Sequence, residues 1–231
     1  VQGLCELAGL PLVGCGTLAS ALCMDKFRAH ELVSLAGVRV PKGFTLAQDH
    51  DRGETVRRAV ALGWPVFVKP VKAGSSFGVA RIGSADELLP AIDAAFFYDD
   101  RVIVEQAIPG FEVGCAVMGD AELTVGVPDE IELAGGFFDF REKYGLITSK
   151  IHVPARVPDE KLDEIRRTAE TVYRALDCRG FARVDMFLTP EGEIVFNEVN
   201  TIPGFTAHSR FPNMMKGAGL SFGQMLNKLL G

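Results

Sequence analysis

The sequence predicts an α+β protein, and three observations carry that expectation. Two short apolar runs near the C-terminal end, 182–188 and 194–200, flank Thr189-Pro190-Glu191-Gly192-Glu193 and read as an antiparallel hairpin. Pro65-Val66-Phe67-Val68-Lys69-Pro70 reads as a buried strand bounded by prolines, with further strands at 79–82 and 102–106. Helices and strands mix without a regular βαβ rhythm, which favours α+β sheets over a doubly wound sheet.

The elements follow in order. Residues 1–10 read as a short helix with Leu4, Leu7 and Ala8 on one face, ended by Pro11 and Gly14-Cys15-Gly16. Thr17 or Ser20 can cap a second helix that runs through Met24, Asp25 and Lys26 to near Gly37. Val38-Arg39-Val40-Pro41 opens an extended segment, and a helix at 54–62 stops at Gly63. Ser84-Ala85-Asp86-Glu87 opens a helix with capping-box spacing. Segments 112–117 and 123–127 look like a sheet pair around Gly119-Asp120. Residues 129–146 read as irregular and aromatic-rich, and 159–176 as an amphipathic helix. The hairpin comes next, then a loop, then a closing helix at 221–230.

With 231 residues, 48% of them hydrophobic, the chain can build one large domain or two small ones. A net charge of -6 argues against bulk nucleic-acid binding. No stretch approaches an apolar membrane span, and no signal sequence opens the chain. The five cysteines form no CxxC pair, as expected of buried free thiols in a reducing cytosol. The chain opens on Val1 rather than Met, as a fragment of a longer protein would.

The chemistry concentrates on the hairpin. Side chains alternate faces along a strand, so Arg183 shares a face with Asp185, and Glu198 shares one with Asn200. Folding back across the turn can bring Asp185 near Glu198. Two carboxylates, an amide and a guanidinium make an oxygen-rich cage for a hard cation such as Mg²⁺, which usually shares its ligands with substrate phosphates. Lys69 ends its strand just before Gly74-Ser75-Ser76-Phe77-Gly78, a turn that can aim backbone N–H groups at a phosphate. The plainer alternative is a hairpin turn with a snorkelling lysine. The turn is not a Walker loop, because no Gly-Lys-Ser/Thr follows. It also matches a nucleophile elbow, with His152 or His208 as a partner, but an elbow needs a helix directly after it and 79–82 reads as a strand.

Other residues are weaker alone. Lys26 by itself is a solvated helix lysine. Glu105 and Glu112 could accept from an adenine amine or a ribose hydroxyl, or be surface acids. Gly204 permits close backbone approach, so its N–H could stabilise an oxyanion. Ser209 and Arg210 could hold a carboxylate. The run 137–144 reads either as a packed aromatic cluster or as a lid with Lys143 and Tyr144 pointing inward.

Taken together, Gly14-Cys15, Met24-Asp25-Lys26, Val66-Phe67-Val68-Lys69-Pro70, Gly74-Ser75-Ser76-Phe77-Gly78-Val79, Arg183-Val184-Asp185-Met186 and Asn197-Glu198-Val199-Asn200-Thr201-Ile202-Pro203-Gly204-Phe205 resemble the ATP-grasp superfamily and, within it, the D-alanine–D-alanine ligase family. The resemblance covers nearly the whole chain. Glu112-Val113-Gly114-Cys115-Ala116-Val117 and Cys178-Arg179-Gly180 look like the vancomycin-resistance branch. The segment from Phe137 through His152 is similar to its D-alanine–D-serine members; lactate-using members carry a histidine-containing sequence where this chain has Lys143-Tyr144.

The resemblance implies an ATP-grasp fold in which two α+β subdomains clasp ATP and the N-terminal domain is missing. Residues 1–14 would be the tail of that domain, 15–104 the central subdomain, and 105–231 the C-terminal subdomain with the metal and substrate site. The implied activity is an ATP-dependent ligase that joins D-alanine to a second D-amino acid, D-serine by subtype, through an acyl phosphate. Its implied place is peptidoglycan precursor synthesis and glycopeptide resistance. The alternatives are a housekeeping D-alanine–D-alanine ligase and a non-catalytic nucleotide-binding regulator. The implied cofactors are ATP and two Mg²⁺, with Mn²⁺ as a substitute. The implied partners are D-alanine with D-serine or a second D-alanine, without nucleic acid or membrane, in a cytoplasmic homodimer at full length. By similarity, Lys26 and Lys69 contact ATP phosphates and Ser76 lies in the covering loop. Glu105 and Glu112 bind adenine and ribose, and Asp185, Glu198 and Asn200 hold the metal ions. Arg183 and the Gly204 N–H stabilise the oxyanion. Ser75 and Tyr144 form a link toward a glutamate of the missing domain. Lys143, Ser209 and Arg210 line the second subsite, Lys143 and Ser209 foremost at its carboxylate.

Overall fold

The computed structural model describes residues 1–132 and 150–230. A four-stranded antiparallel sheet takes the order β1 (Gly43–Ala47), β4 (Arg101–Gln106), β2 (Val66–Pro70), β3 (Ala80–Ile82). Strict alternation builds it. Val66 and Val68 of β2, and Val102 and Val104 of β4, point into a core closed by helices α4 (Arg52–Leu62) and α5 (Ala85–Ala95). Phe67, Lys69 and Glu105 therefore fall on the opposite face.

A second, six-stranded sheet takes the order β10 (Ile194–Asn200), β9 (Phe181–Leu188), β5 (Phe111–Gly119), β7 (Asp129–Glu132), β8 (Lys150–His152), with β6 (Leu123–Val125) on β5. One face packs on α2 (Thr17–Met24), α3 (Lys26–Leu35) and α6 (Asp159–Ala175). Helix α6 buries Leu162, Ile165, Ala169, Val172 and Tyr173, a single apolar stripe at helical spacing. Full burial of each large side chain contributes about 1.5–3 kcal/mol. The other face carries Ala116, Met118 and Phe181 under α7 (Arg210–Gly217) and α8 (Phe222–Leu230). Cys15, Ala19, Cys23, Ala29 and Val33, early in the sequence, are part of the large core on the first face.

Several expectations are corrected here. The helix drawn through Asp25 is two helices. Asp25 is extended (ψ 96°), and its carboxylate accepts from the Arg28 N–H at 3.0 Å, so it caps α3 and breaks the helix before it. Gly16, rather than Thr17 or Ser20, is the N-cap of α2. The missing side-chain cap is supplied by Glu6 of α1 (Gln2–Leu7), which accepts from the Thr17 N–H at 2.8 Å. At α5 the capping box is offset by one residue, since Glu87 reaches back to the Gly83 N–H at 2.9 Å. Residues 129–132, expected irregular, form β7, which is hydrogen-bonded on both sides. The loop after the hairpin contains α7. The five cysteines are free thiols, four of them buried. Among the described residues no helix is long and apolar enough to cross a membrane.

Candidate active site

The hairpin is the centre of the site, and a bulge shapes it. Strands β9 and β10 pair Phe196 with Met186, then Glu198 with Asp185 and Asn200 with Arg183, so Asn197 is an extra residue. Without it, Phe196, Glu198 and Asn200 would share one face. The bulge lets Phe196 stay in the core while Glu198 and Asn200 turn to the side of Arg183 and Asp185. The Asn197 carbonyl bonds the Nε2 of buried His30 at 2.9 Å, which requires the proton on that nitrogen. Burial lowers the His30 pKa and favours the neutral ring.

Asp185 is almost fully buried. Arg183 forks onto it, Nε to Oδ1 and Nη2 to Oδ2, both at 2.7 Å, and Asn200 donates its Nδ2 to Oδ2 at 2.7 Å. Four carboxylates (Glu112, Asp129, Asp185, Glu198) meet two guanidiniums (Arg183, Arg210) in this region. The excess negative charge suits a dication. Among the described residues no group of three His, Cys, Asp or Glu could hold a metal. Two carboxylates and an amide are instead an all-oxygen set, which fits Mg²⁺ better than a softer ion.

Between the two sheets lies a cavity of about 410 Å³, the size of a small-ligand pocket. Lys26, Lys69, Ser76, Glu105, Glu112 and Glu198 line it, and Phe67 and Phe187 supply apolar wall. Lys69 forms a buried ion pair with Glu105 across β2 and β4. Burial alone would push the Glu105 pKa up; the charge and hydrogen bond of the adjacent Lys69 ammonium, with the charge of Lys26, outweigh it and hold the carboxyl below its usual range. Its second oxygen, Oε2, is buried with no hydrogen-bond partner among the described residues. Such an orphan acceptor in an apolar-walled slot fits an amine or hydroxyl donor of a nucleoside.

Lys26 reaches from the first turn of α3 to the Ala73 carbonyl at 2.7 Å and so secures the loop between β2 and β3. Ser75 (φ 53°) and Ser76 (φ 59°) sit in the left-handed region, a strained arrangement in the loop that brings Ser76 to the cavity wall. Gly78 (φ 69°) has no room for a side chain, because a Cβ would lie 2.6 Å from the Tyr98 ring. A strand, β3, follows the loop, so a nucleophile elbow is excluded. His152 is committed to Glu132 at 2.6 Å.

The remaining site residues fall differently. Gly204 lies against Ser209, whose Oγ accepts from the Thr206 N–H at 3.1 Å. Arg210, expected to hold a substrate carboxylate, is engaged by acids of the chain itself. It forks onto Asp129 with two bonds of 2.7 Å and bridges Glu112 at 3.1 Å and Asp185 at 3.3 Å. Lys143 and Tyr144 lie outside the described residues. Sequence reasoning missed Asp129, His30 and the apolar walls. Phe67 was within reach, since alternation places it on the face of Lys69.

Gly114 makes the carboxylate cluster possible. A Cβ there would stand 2.3 Å from Arg210 Nη2, 2.8 Å from Asp129 Oδ1 and 3.0 Å from Asp185 Oδ1. Gly114→Ala is expected to cost about 1–3 kcal/mol by overpacking, read as a lower thermal unfolding midpoint. An unchanged midpoint would contradict the packing described.

Two sheets enclosing a cavity lined by basic, adenosine-compatible and metal-compatible groups define an ATP-grasp fold. The family model described as D-ala D-ala ligase C-terminus matches residues 32–231, and the chain belongs to the D-alanine–D-alanine ligase family. Vancomycin C-type resistance protein VanC2 of Enterococcus casseliflavus is 44% identical over all of this chain and 66% of its own length. A putative D-alanine–D-lactate ligase of Streptomyces coelicolor is 46% identical over 99% of this chain and 66% of its own. The crystal structure of VanG D-Ala:D-Ser ligase from Enterococcus faecalis superposes with a TM-score of 0.93 at 60% identity, covering 100% of this chain and 67% of that one. The chain therefore spans about two thirds of the length of these relatives.

Proposed function

We propose that this chain carries the nucleotide and metal site of an ATP-dependent ligase that joins D-alanine to D-serine. The observation that carries the reading is the bulged hairpin, which sets Asp185, Glu198 and Asn200 on one surface beside a cavity holding Lys26 and Lys69. The likeness to a D-Ala:D-Ser ligase supports the choice of D-serine.

A carboxylate is a poor acyl donor, and phosphorylation of the D-alanine carboxylate supplies a leaving group. The amine of the second amino acid then attacks, and the tetrahedral centre collapses to dipeptide and phosphate. When bound, Mg²⁺ neutralises phosphate charge. The chain's own residues position and neutralise. Asp185, Glu198 and Asn200 would hold the metal, and Lys26, Lys69 and the Ser76 loop the phosphates. Glu105 and Glu112 would take the adenosine end. A guanidinium has five N–H donors; Arg183 spends two on Asp185, leaving three to stabilise the tetrahedral oxyanion with the Gly204 N–H. Ser209 and Lys143 would hold the second substrate's carboxylate. On this reading the chain works joined to an N-terminal domain, whose glutamate would meet Ser75 and Tyr144, in a cytoplasmic homodimer that serves peptidoglycan synthesis and glycopeptide resistance.

The test is product analysis of the full-length protein with D-alanine and a choice of second substrate. D-alanine-dependent ADP formation with D-alanyl-D-serine dominant is expected. D-alanyl-D-alanine as the main product would return the protein to the housekeeping activity. Preference for D-lactate near neutral pH would refute the reading of Lys143-Tyr144, and ADP formation independent of D-alanine would refute the ligase.

A further inference from the structure

We propose that Arg210 is a positioning residue that locks the nucleotide carboxylate Glu112 and the metal carboxylate Asp185 into one rigid plane, anchored by Asp129. The proposal rests on the ligase reading of those two carboxylates and adds to it a third element that sets their geometry.

The placement is unusual for an arginine. Arg210 is the first residue of α7, directly after the N-cap Ser209, where the helix dipole disfavours a cation. It is also buried. Both penalties are offset by acids that come from elsewhere in the chain. Nε and Nη2 fork onto Asp129 Oδ2 and Oδ1 at 2.7 Å each, a bidentate fit that fixes the guanidinium plane. Asp129 is itself fixed, because its Oδ1 accepts from the Gly114 N–H at 3.0 Å. With that end anchored, Nη1 alone faces the site. It lies 3.1 Å from Glu112 Oε1 and 3.3 Å from Asp185 Oδ1. One nitrogen thus spans two carboxylates that would otherwise repel each other in a buried setting.

Three consequences follow. The fork stands between the carboxylates and is held from below, so three of its five donors are committed to the chain's own acids before any substrate arrives. Any shift of the guanidinium moves Glu112 and Asp185 together, which couples the adenosine end of the cavity to its metal end. The same residue begins the helix behind Ser209, so the loop that would hold the second substrate is tied to the same anchor. A lysine would keep the charge but lacks the planar fork, and could not satisfy Asp129 and bridge both site carboxylates at once.

The test uses Arg210→Lys and Asp129→Asn, with Ser209→Ala for comparison. Thermal unfolding establishes which variants fold. Mn²⁺ binding is then read by the electron spin resonance signal of the free ion, and ADP binding by calorimetry. Outer partners of metal ligands typically change metal affinity by about 10–100-fold, and Arg210→Lys is expected to weaken Mn²⁺ and ADP binding in parallel within that range. Asp129→Asn, which leaves the arginine in place and loosens its anchor, is expected to weaken both by about tenfold, at the low end of that range. Ser209→Ala should leave both unchanged and raise only the KM of the second amino acid. A folded Arg210→Lys that binds Mn²⁺ and ADP like wild type overturns the proposal. So does one that changes only the second substrate's KM, since Arg210 would then be a direct substrate contact. If Arg210→Lys does not fold, Asp129→Asn decides by the same two readings. A wild-type protein that binds neither probe refutes the ligase reading itself, and the proposal falls with it.

Discussion

Replacing Asp185 and Glu198 together by alanine is expected to abolish ATP-dependent phosphate release in the full-length protein, by about a thousandfold or more. A catalytic dication contributes several kcal/mol of charge stabilisation in the transition state, and each 1.4 kcal/mol or so is a factor of ten. Direct register across the bulge puts the two carboxylates opposite each other, so neither has a substitute on its strand. The single variants separate metal binding from folding. Asp185→Ala strips a buried acid from Arg183, Arg210 and Asn200 and should also lower stability. Glu198 is only half-buried, so Glu198→Ala should fold normally while losing most of the activity. Phosphate release retained by the double variant would refute the metal assignment, and normal release by a folded Glu198→Ala would remove that ligand from it.

How much of this was legible in advance depends on the range over which each feature is determined. Strand β2 and the two hairpin strands could be read because period-two alternation is local, and Lys69, Arg183 and Asp185 inherit their faces from it. The bulge at Asn197 could not. Phe196-Asn197-Glu198 carries no glycine or turn signal, and the extra residue is accommodated by His30, 167 positions away. Strand β7 was hidden for a related reason. Asp129 and Glu130 disfavour a strand by propensity, but Arg210 and Arg156 neutralise them once the chain has folded. The break at Asp25 was legible in principle, since an aspartate three residues before Arg28 can cap, but the apolar pattern continues across it. Arg210 was judged by its neighbour Ser209, whereas its partners Asp129 and Glu112 lie 81 and 98 positions away. The six-stranded sheet decides where that side chain goes.

Lys69→Met is expected to destabilise the protein by about 3–5 kcal/mol near neutral pH, because it leaves the buried Glu105 carboxylate without its cation. The sign of the pH dependence follows from Glu105. In wild type its folded-state pKa is depressed, so the pair's contribution is fully present above the ordinary carboxylate range and is lost as pH falls through the folded value. In the variant, burial becomes the stronger influence and the carboxyl takes up a proton. Between pH 7 and pH 5 the wild-type pair stays intact, whereas proton uptake by the stranded carboxyl relieves the variant. Urea unfolding at pH 7 and pH 5 should therefore show a gap that narrows toward acid; a gap of constant size would contradict the assignment. Adding Glu105→Gln to Lys69→Met removes the stranded charge and should restore most of the lost stability. It should not restore nucleotide binding, since both the ammonium for the phosphates and the carboxylate facing the cavity are gone. Recovery of stability without recovery of binding would separate the two roles of this pair: a satisfied ion pair within the sheet, and a matched donor and acceptor held ready for a nucleotide.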